Sequence, residues 1–107
     1  MEIHQVRYFL AVCEEGSFTG AAKRCRVTQP SLSNAMKCLE QELGGPLFRR
    51  LRRGAVLSAL GEVVRPHLER LIECLQRART EAASHAGTLT ATAHMLPEAV
   101  AEAHPHN

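Results

Sequence analysis

The sequence has few of the features that would indicate catalysis, metal binding or a membrane span. It contains no tryptophan and one tyrosine. No apolar run approaches the length of about 20 residues that a membrane-spanning helix needs. Its four cysteines form no Cys-x-x-Cys pair, and its six histidines are scattered, so a clustered set of zinc ligands is missing. No nucleophile–base set, paired acids or phosphate loop is visible. The sequence therefore predicts no enzyme, no metal site and no cofactor.

The cysteines are better explained as packing residues than as disulfide partners or ligands. Cys13, Cys25 and Cys38 each fall at an apolar-periodic position of a predicted helix, and Cys74 stands apart. Since free cysteine behaves as a small hydrophobe, we expect the first three to be buried.

The N-terminus also lacks a secretory leader. No cationic stretch precedes an apolar block, and Glu14 and Glu15 follow closely. This pattern predicts a cytoplasmic protein. A length of 107 residues suits one small domain with extensions.

Acidic residues are missing from two stretches, 16–39 and 43–61, and basic residues are concentrated there. Residues 1–58 hold nine Lys and Arg against five Glu, whereas residues 59–107 hold four against six. The N-terminal half is therefore the expected polyanion-binding part.

Three helices are predicted in this half, over residues 2–15, 18–25 and 29–43. Ser17 and Thr28 stand where N-caps belong, and Pro30 falls in a first helical turn, where its missing N–H costs nothing. Apolar residues recur at helical spacing in all three. The expected inward residues are Ile3, Val6, Phe9, Leu10, Cys13, Phe18, Ala21, Ala22, Cys25, Leu32, Met36, Leu39 and Leu43.

The outward face of the third helix carries amides, hydroxyls and one amine. These residues are Gln29, Ser31, Ser33, Asn34 and Lys37. Such groups bond base edges and phosphates, so two short helices with this face indicate a helix-turn-helix that reads DNA. An ordinary solvated face is the alternative, although such faces usually carry glutamates.

A β-hairpin is predicted next, with strands near residues 47–51 and 55–58 and a turn around Arg52, Arg53 and Gly54. Four arginines within five residues can lie along phosphates or in a narrow minor groove. A merely solvating loop is the alternative.

From residue 59 an apolar seam steps by four and three residues, which is a heptad pattern. Its members are Val64, Leu68, Leu71, Leu75, Ala78 and Ala82. A partner helix from a second copy would bury it; the alternative is packing on the chain's own domain. Pro66 lies off the seam, where it kinks the helix or marks its first turn. Gly87 is expected to end this helix.

Beyond Gly87 the pattern weakens. The Thr/Ala alternation over residues 89–93 suits a strand, and residues 97–103 suit a short helix. We expect the last dozen residues to be poorly ordered.

Taken together, these motifs resemble the N-terminal part of a LysR-type transcriptional regulator, over roughly residues 1–87. The matching residues are Phe9, Val12, Gly16-Ser17-Phe18-Thr19, Ala21-Ala22, Thr28-Gln29-Pro30-Ser31-Leu32-Ser33, Leu39-Glu40, Leu43-Gly44, Leu47-Phe48, Arg50, Arg53, Leu57-Ser58 and Gly61. Asn34 departs from the arginine common in the family, and Cys25 from leucine.

The resemblance implies a mainly α fold: a winged helix-turn-helix over residues 1–58, of three helices and a small β-hairpin, followed by a long dimerising linker helix over 59–87. Residues 88–107 resemble the start of the family's effector-binding domain, so no effector site is expected in this chain. The family's DNA-contacting positions match Thr28, Gln29, Pro30, Ser31, Ser33, Arg50 and Arg53. Asn34 and Lys37 join them from the exposed face alone.

The expected partners are double-stranded DNA and a second copy of the chain, with tetramers an option in a full-length form. A winged-helix module that binds proteins rather than DNA is the competing hypothesis. It predicts complexes that ignore duplex DNA and salt.

Overall fold

The structure is a computed structural model that describes residues 1–95. Its elements in chain order are α1 (Ile3–Glu15), α2 (Phe18–Cys25), α3 (Gln29–Leu43), β1 (Phe48–Arg50), β2 (Ala55–Leu57) and α4 (Ala59–Met95). This architecture confirms the predicted mainly α fold, with three helices, a hairpin and a long helix.

Both predicted helix caps form. The Ser17 hydroxyl accepts a hydrogen bond from the Gly20 N–H at 3.0 Å, and the Thr28 hydroxyl accepts one from the Ser31 N–H at 3.2 Å. Each satisfies a backbone donor that the first helical turn leaves without an intrahelical partner. The turn between α2 and α3 passes through Arg26, whose φ of 61° is left-handed.

The first three helices surround one hydrophobic core. Its fully buried large side chains are Val6, Phe9, Val12, Leu32, Met36, Leu39 and Leu47. Two expected core positions differ: Ile3, the first residue of α1, is exposed, and Cys38 is exposed. Cys38 lies off the inner face of α3 because Leu32, Ala35 and Leu39 define that face. Cys13 and Cys25 are half-buried.

The hairpin is antiparallel, with Phe48 opposite Leu57 and Arg50 opposite Ala55. Its turn packs on the junction of α1 and α2, because the Ala55 N–H donates to the Gly16 carbonyl at 2.9 Å. A Cβ on Gly54, whose φ is 99°, would lie 2.5 Å from that carbonyl oxygen. The hairpin is therefore fixed to the domain at its turn.

Helix α4 begins where the hairpin ends. The Ser58 hydroxyl accepts from the Gly61 N–H at 3.0 Å and donates to the Pro46 carbonyl at 2.6 Å. Pro66 lies inside the helix rather than in its first turn. Since proline has no N–H, the carbonyl of Glu62 receives no bond from it.

The far end of α4 differs from the sequence prediction. The helix continues through Gly87 to Met95, so the predicted end at Gly87 and the predicted strand over 89–93 are wrong. Glycine costs a helix interior only about 1 kcal/mol relative to alanine, which a long helix tolerates. The predicted short helix over 97–103 and the expected disorder of the last dozen residues lie outside the described part of the chain.

Residues 1–72 form one compact unit, and a second begins at Glu73. Within the first unit, α4 packs on the core through Leu68, which is 6% exposed, and through the partly buried Val64 and Ile72. The predicted alternative, packing on the chain's own domain, thus applies to Val64 and Leu68. Val63 and Leu71 remain exposed, at 64% and 40%.

In the second unit, Leu75 is partly buried, whereas Ala78 and Ala82 are exposed. Over residues 1–95, no helix combines the length and the apolarity that crossing a membrane requires.

Candidate nucleic-acid interface

The N-terminal half of α3 presents a polar surface opposite its buried face. Gln29, Pro30, Ser31, Asn34 and Lys37 are exposed, and Ser33 is half-buried. Thr28 precedes them as the N-cap. Together, the residues of this surface form the recognition face: Gln29, Pro30, Ser31, Ser33, Asn34 and Lys37. None of them is acidic.

The α2 helix contributes one contact to this face. The Thr19 hydroxyl donates a hydrogen bond to Oε1 of Gln29 at 3.1 Å. Both side chains are exposed, and each stands in the first turn of its helix. The crossing of the two helices therefore brings Thr19 beside the most N-terminal residue of the recognition face.

Arg50, the last residue of β1 before the hairpin turn, is held against the recognition face. Its guanidinium carbon lies 3.7 Å from the centroid of the Phe18 ring, and Nη2 donates to Oγ of Ser33 at 3.3 Å. Stacking on an aromatic face and a directed hydrogen bond together restrict a side chain that is otherwise flexible.

The position of Arg50 follows from the alternation of side chains along a strand. Phe48, two residues earlier, points to the same side and is buried, with its ring centroid 5.6 Å from that of Phe18 and 5.3 Å from that of Phe9. The aromatic cluster thus sets where the guanidinium lies. Arg53 sits in the hairpin turn instead and is exposed.

A shallow groove joins α3 to β1. Ser33, Lys37 and Arg50 line it on the polar side, and Phe18, Met36, Pro46 and Phe48 supply apolar walls. Glu40 is its one acid, and Oε2 of Glu40 accepts the Leu47 N–H at 2.8 Å. That carboxylate thereby fixes the start of the hairpin to α3.

Two acidic side chains of α1 pair with Arg24 of α2. Arg24 forms ion pairs with Glu14 and Glu15 of α1, and the hydrogen bond that it donates to Glu14 raises the pKa of Arg24 above its usual range. The positive charge of Arg24 is therefore offset by these two carboxylates. Lys37, Arg50 and Arg53 have no ion-pair partner among residues 1–87.

The structure brings most of the predicted contact residues onto one surface. The recognition face and Arg50 adjoin through the bond to Ser33, and Arg53 lies at the hairpin turn. Two residues at this surface had no predicted role in it: Thr19, which bonds Gln29, and Phe18, which was predicted as a core residue and also stacks on Arg50. Both belong to the Gly16–Thr19 motif, which the sequence shows. Their partners lie ten and 32 positions further along the chain, so the motif alone does not predict these contacts.

Residues 3–62 match the family described as bacterial regulatory helix-turn-helix protein, lysR family. The chain is similar to the HTH-type transcriptional regulator TfdT of Cupriavidus pinatubonensis. The two are 41% identical over 86 residues, which cover 78% of this chain and 38% of TfdT. The chain thus spans well under half the length of this relative.

Two solved structures of DNA complexes are also similar. The CbnR_DBD–DNA complex has a TM-score of 0.75 and 37% identity, covering 80% of this chain and 99% of that one. The BenM_DBD/benA site 1 DNA complex has a TM-score of 0.75 and 34% identity, covering 80% and 97%. The family match over residues 3–62 includes the three helices and the hairpin described above. The chain therefore belongs to the lysR family of bacterial regulatory helix-turn-helix proteins.

Proposed function

We propose that this chain is the DNA-binding and dimerising part of a transcriptional regulator, and that it binds double-stranded DNA sequence-specifically. The observation that carries the proposal is the acid-free recognition face, with Arg50 held beside it by Phe18 and Ser33. Similarity to two structures solved as DNA complexes supports the same function.

The recognition helix α3 would enter the major groove, whose width admits an α-helix. Gln29 would bond a base edge there, since an amide both donates and accepts. Ser31, Ser33 and Lys37 would hold phosphates or flanking bases, and Asn34 would contribute from the same exposed row. Pro30 and the Thr28 cap would set the entry angle of the helix.

The hairpin would add contacts outside the major groove. Arg50, fixed against α3, suits a phosphate at the edge of the groove entered by the helix. Arg53, exposed at the hairpin turn, suits the backbone or a narrow minor groove. Both contacts would release counterions and make the affinity depend on salt.

A homodimer through α4 would pair two recognition helices. Exposed apolar side chains on α4, such as Leu71, support this arrangement. For helix-turn-helix dimers the half-sites lie about 34–36 Å apart, one turn of DNA. A regulator of this kind would act in the bacterial cytoplasm.

Selection of bound sequences from a random DNA pool, followed by affinity measurement at two salt concentrations, tests the proposal. We expect a preferred site that is bound more tightly than random DNA, and a loss of affinity for both as salt rises. Complexes that form without regard to DNA or salt would instead indicate a protein-interaction module.

A further inference from the structure

Three side-chain hydrogen bonds at the recognition face share one feature: in each of them an oxygen of Gln29, Ser31 or Ser33 is the acceptor. Thr19 donates to Oε1 of Gln29 at 3.1 Å, and the Thr28 hydroxyl donates to Oγ of Ser31 at 2.9 Å. Arg50, which has donors only, donates to Oγ of Ser33 at 3.3 Å. The hydrogens of the accepting side chains are left for a ligand.

The consequence is greatest for Gln29. Its amide has one oxygen and one NH2 group of similar size, so shape alone does not fix which of them faces outward. The bond to Thr19 turns Oε1 toward α2. Within the described residues the NH2 group of Gln29 meets no protein acceptor, so its hydrogens are available to a ligand.

We propose that Thr19 is a positioning residue that holds the Gln29 amide with its NH2 group outward, so that this position reads hydrogen-bond acceptors. In the major groove the matching groups are N7 of either purine, O6 of guanine and O4 of thymine. The inference rests on the proposed function, because it needs Gln29 to meet a base edge. The opposite orientation would favour the amino groups of adenine and cytosine.

Base analogues that lack one group at a time test this orientation on the full chain. The preferred site from the random pool is resynthesised with 7-deazapurines, which lack N7, or with 5-methylpyrimidin-2-one, which lacks O4 of thymine. We call the loss of affinity that an analogue causes its penalty. The base that faces Gln29 is the one for which this penalty disappears in Gln29→Ala. For the unmodified protein we expect that penalty to be about 5- to 150-fold in Kd.

Replacing Thr19 then tests the positioning role. Thr19→Val keeps the side-chain shape and removes the hydroxyl, and we expect it to reduce the penalty at that base by about 2- to 10-fold, the bias of one exposed hydrogen bond. Affinity for random DNA should stay unchanged. Thr19→Ser should restore the penalty. Thr80→Val, the same change at an exposed threonine of α4, is the matched control.

Two results would overturn the inference while leaving the proposed function standing. One is a preferred site at which Thr19→Val retains the whole penalty. The other is a greater loss from removing an amino group, by purine in place of adenine or pyrimidin-2-one in place of cytosine, than from removing an acceptor. A pool that yields no preferred sequence would overturn the proposed function, and the inference with it.

Discussion

Gln29 is the residue whose replacement separates base recognition from general attraction to phosphates. Gln29→Ala removes an exposed amide and leaves the Thr28 cap and the core in place. We expect it to cost about 1–3 kcal/mol in binding to the preferred site and little with random DNA. Fluorescence anisotropy titrations of both duplexes measure the difference. An equal loss on the two would exclude a base contact by Gln29.

Arg53 should behave in the opposite way, because it is exposed at the hairpin turn and would contact phosphates or the minor groove. Arg53→Ala is expected to weaken binding to all sequences and to reduce the slope of log K against log salt by about one. Thermal stability should not change, since the side chain is exposed. A slope equal to that of the unmodified protein would contradict this role.

The cysteines should differ in reactivity according to burial. Desolvation raises the pKa of the Cys13 thiol to about 11 and also raises the pKa of Cys25, whereas Cys38 and Cys74 are exposed. Because the thiolate is the reactive form, Cys13 should react about a hundredfold more slowly at pH 8 than a thiol of pKa 9. Iodoacetamide labelling with peptide mass analysis tests this; labelling in urea is the control. Early modification of Cys13 would contradict it.

At the scale of the elements, the hairpin depends on Gly54. Gly54→Ala forces an L-residue to adopt a φ of 99° and places Cβ 2.5 Å from the Gly16 carbonyl oxygen. Gly44→Ala is a matched control, with a φ of 96° and nothing within 4 Å of the added Cβ. We expect each to lower the free energy of unfolding by at least about 1 kcal/mol, and Gly54→Ala to lower it more. Urea unfolding measures both; equal losses would mean that the Gly16 contact contributes nothing.

How far the elements could be predicted depends on how local their signals are. Ser17, Thr28 and the apolar spacing lie within a few residues of what they specify, so α2 and α3 were placed correctly. The end of α4 was not. Alternating Thr and Ala suits a strand by its period, but alanine also favours helix, and no proline follows Gly87 until Pro97.

The site shows the same limit. Exposure of the recognition face follows from the spacing of Leu32, Met36 and Leu39 along one helix. The stacking of Arg50 on Phe18 joins residues 32 positions apart, and it depends on how the hairpin packs against α2. No pattern within either segment predicts it. The same holds for the bond between Thr19 and Gln29.

For the whole molecule, the heptad seam divides at Leu68. Leu68 is 6% exposed and belongs to the domain core, so Leu68→Ala should destabilise the fold by about 2–5 kcal/mol. Leu71 is 40% exposed, so packing within its own chain leaves much of this apolar side chain uncovered. An assembled dimer would cover it.

Leu71→Glu should therefore yield folded monomers, because a charge on each copy would have to be buried in the dimer interface. Gln76→Glu adds the same charge at an exposed polar position of α4 and is the matched control. Sedimentation gives the mass, and circular dichroism gives the fold. Affinity for a single half-site should be unchanged, whereas affinity for two half-sites one turn apart should fall to the single-site value, since two linked contacts bind far more tightly than one. A Leu71→Glu dimer that still binds paired half-sites would place the interface elsewhere on the molecule.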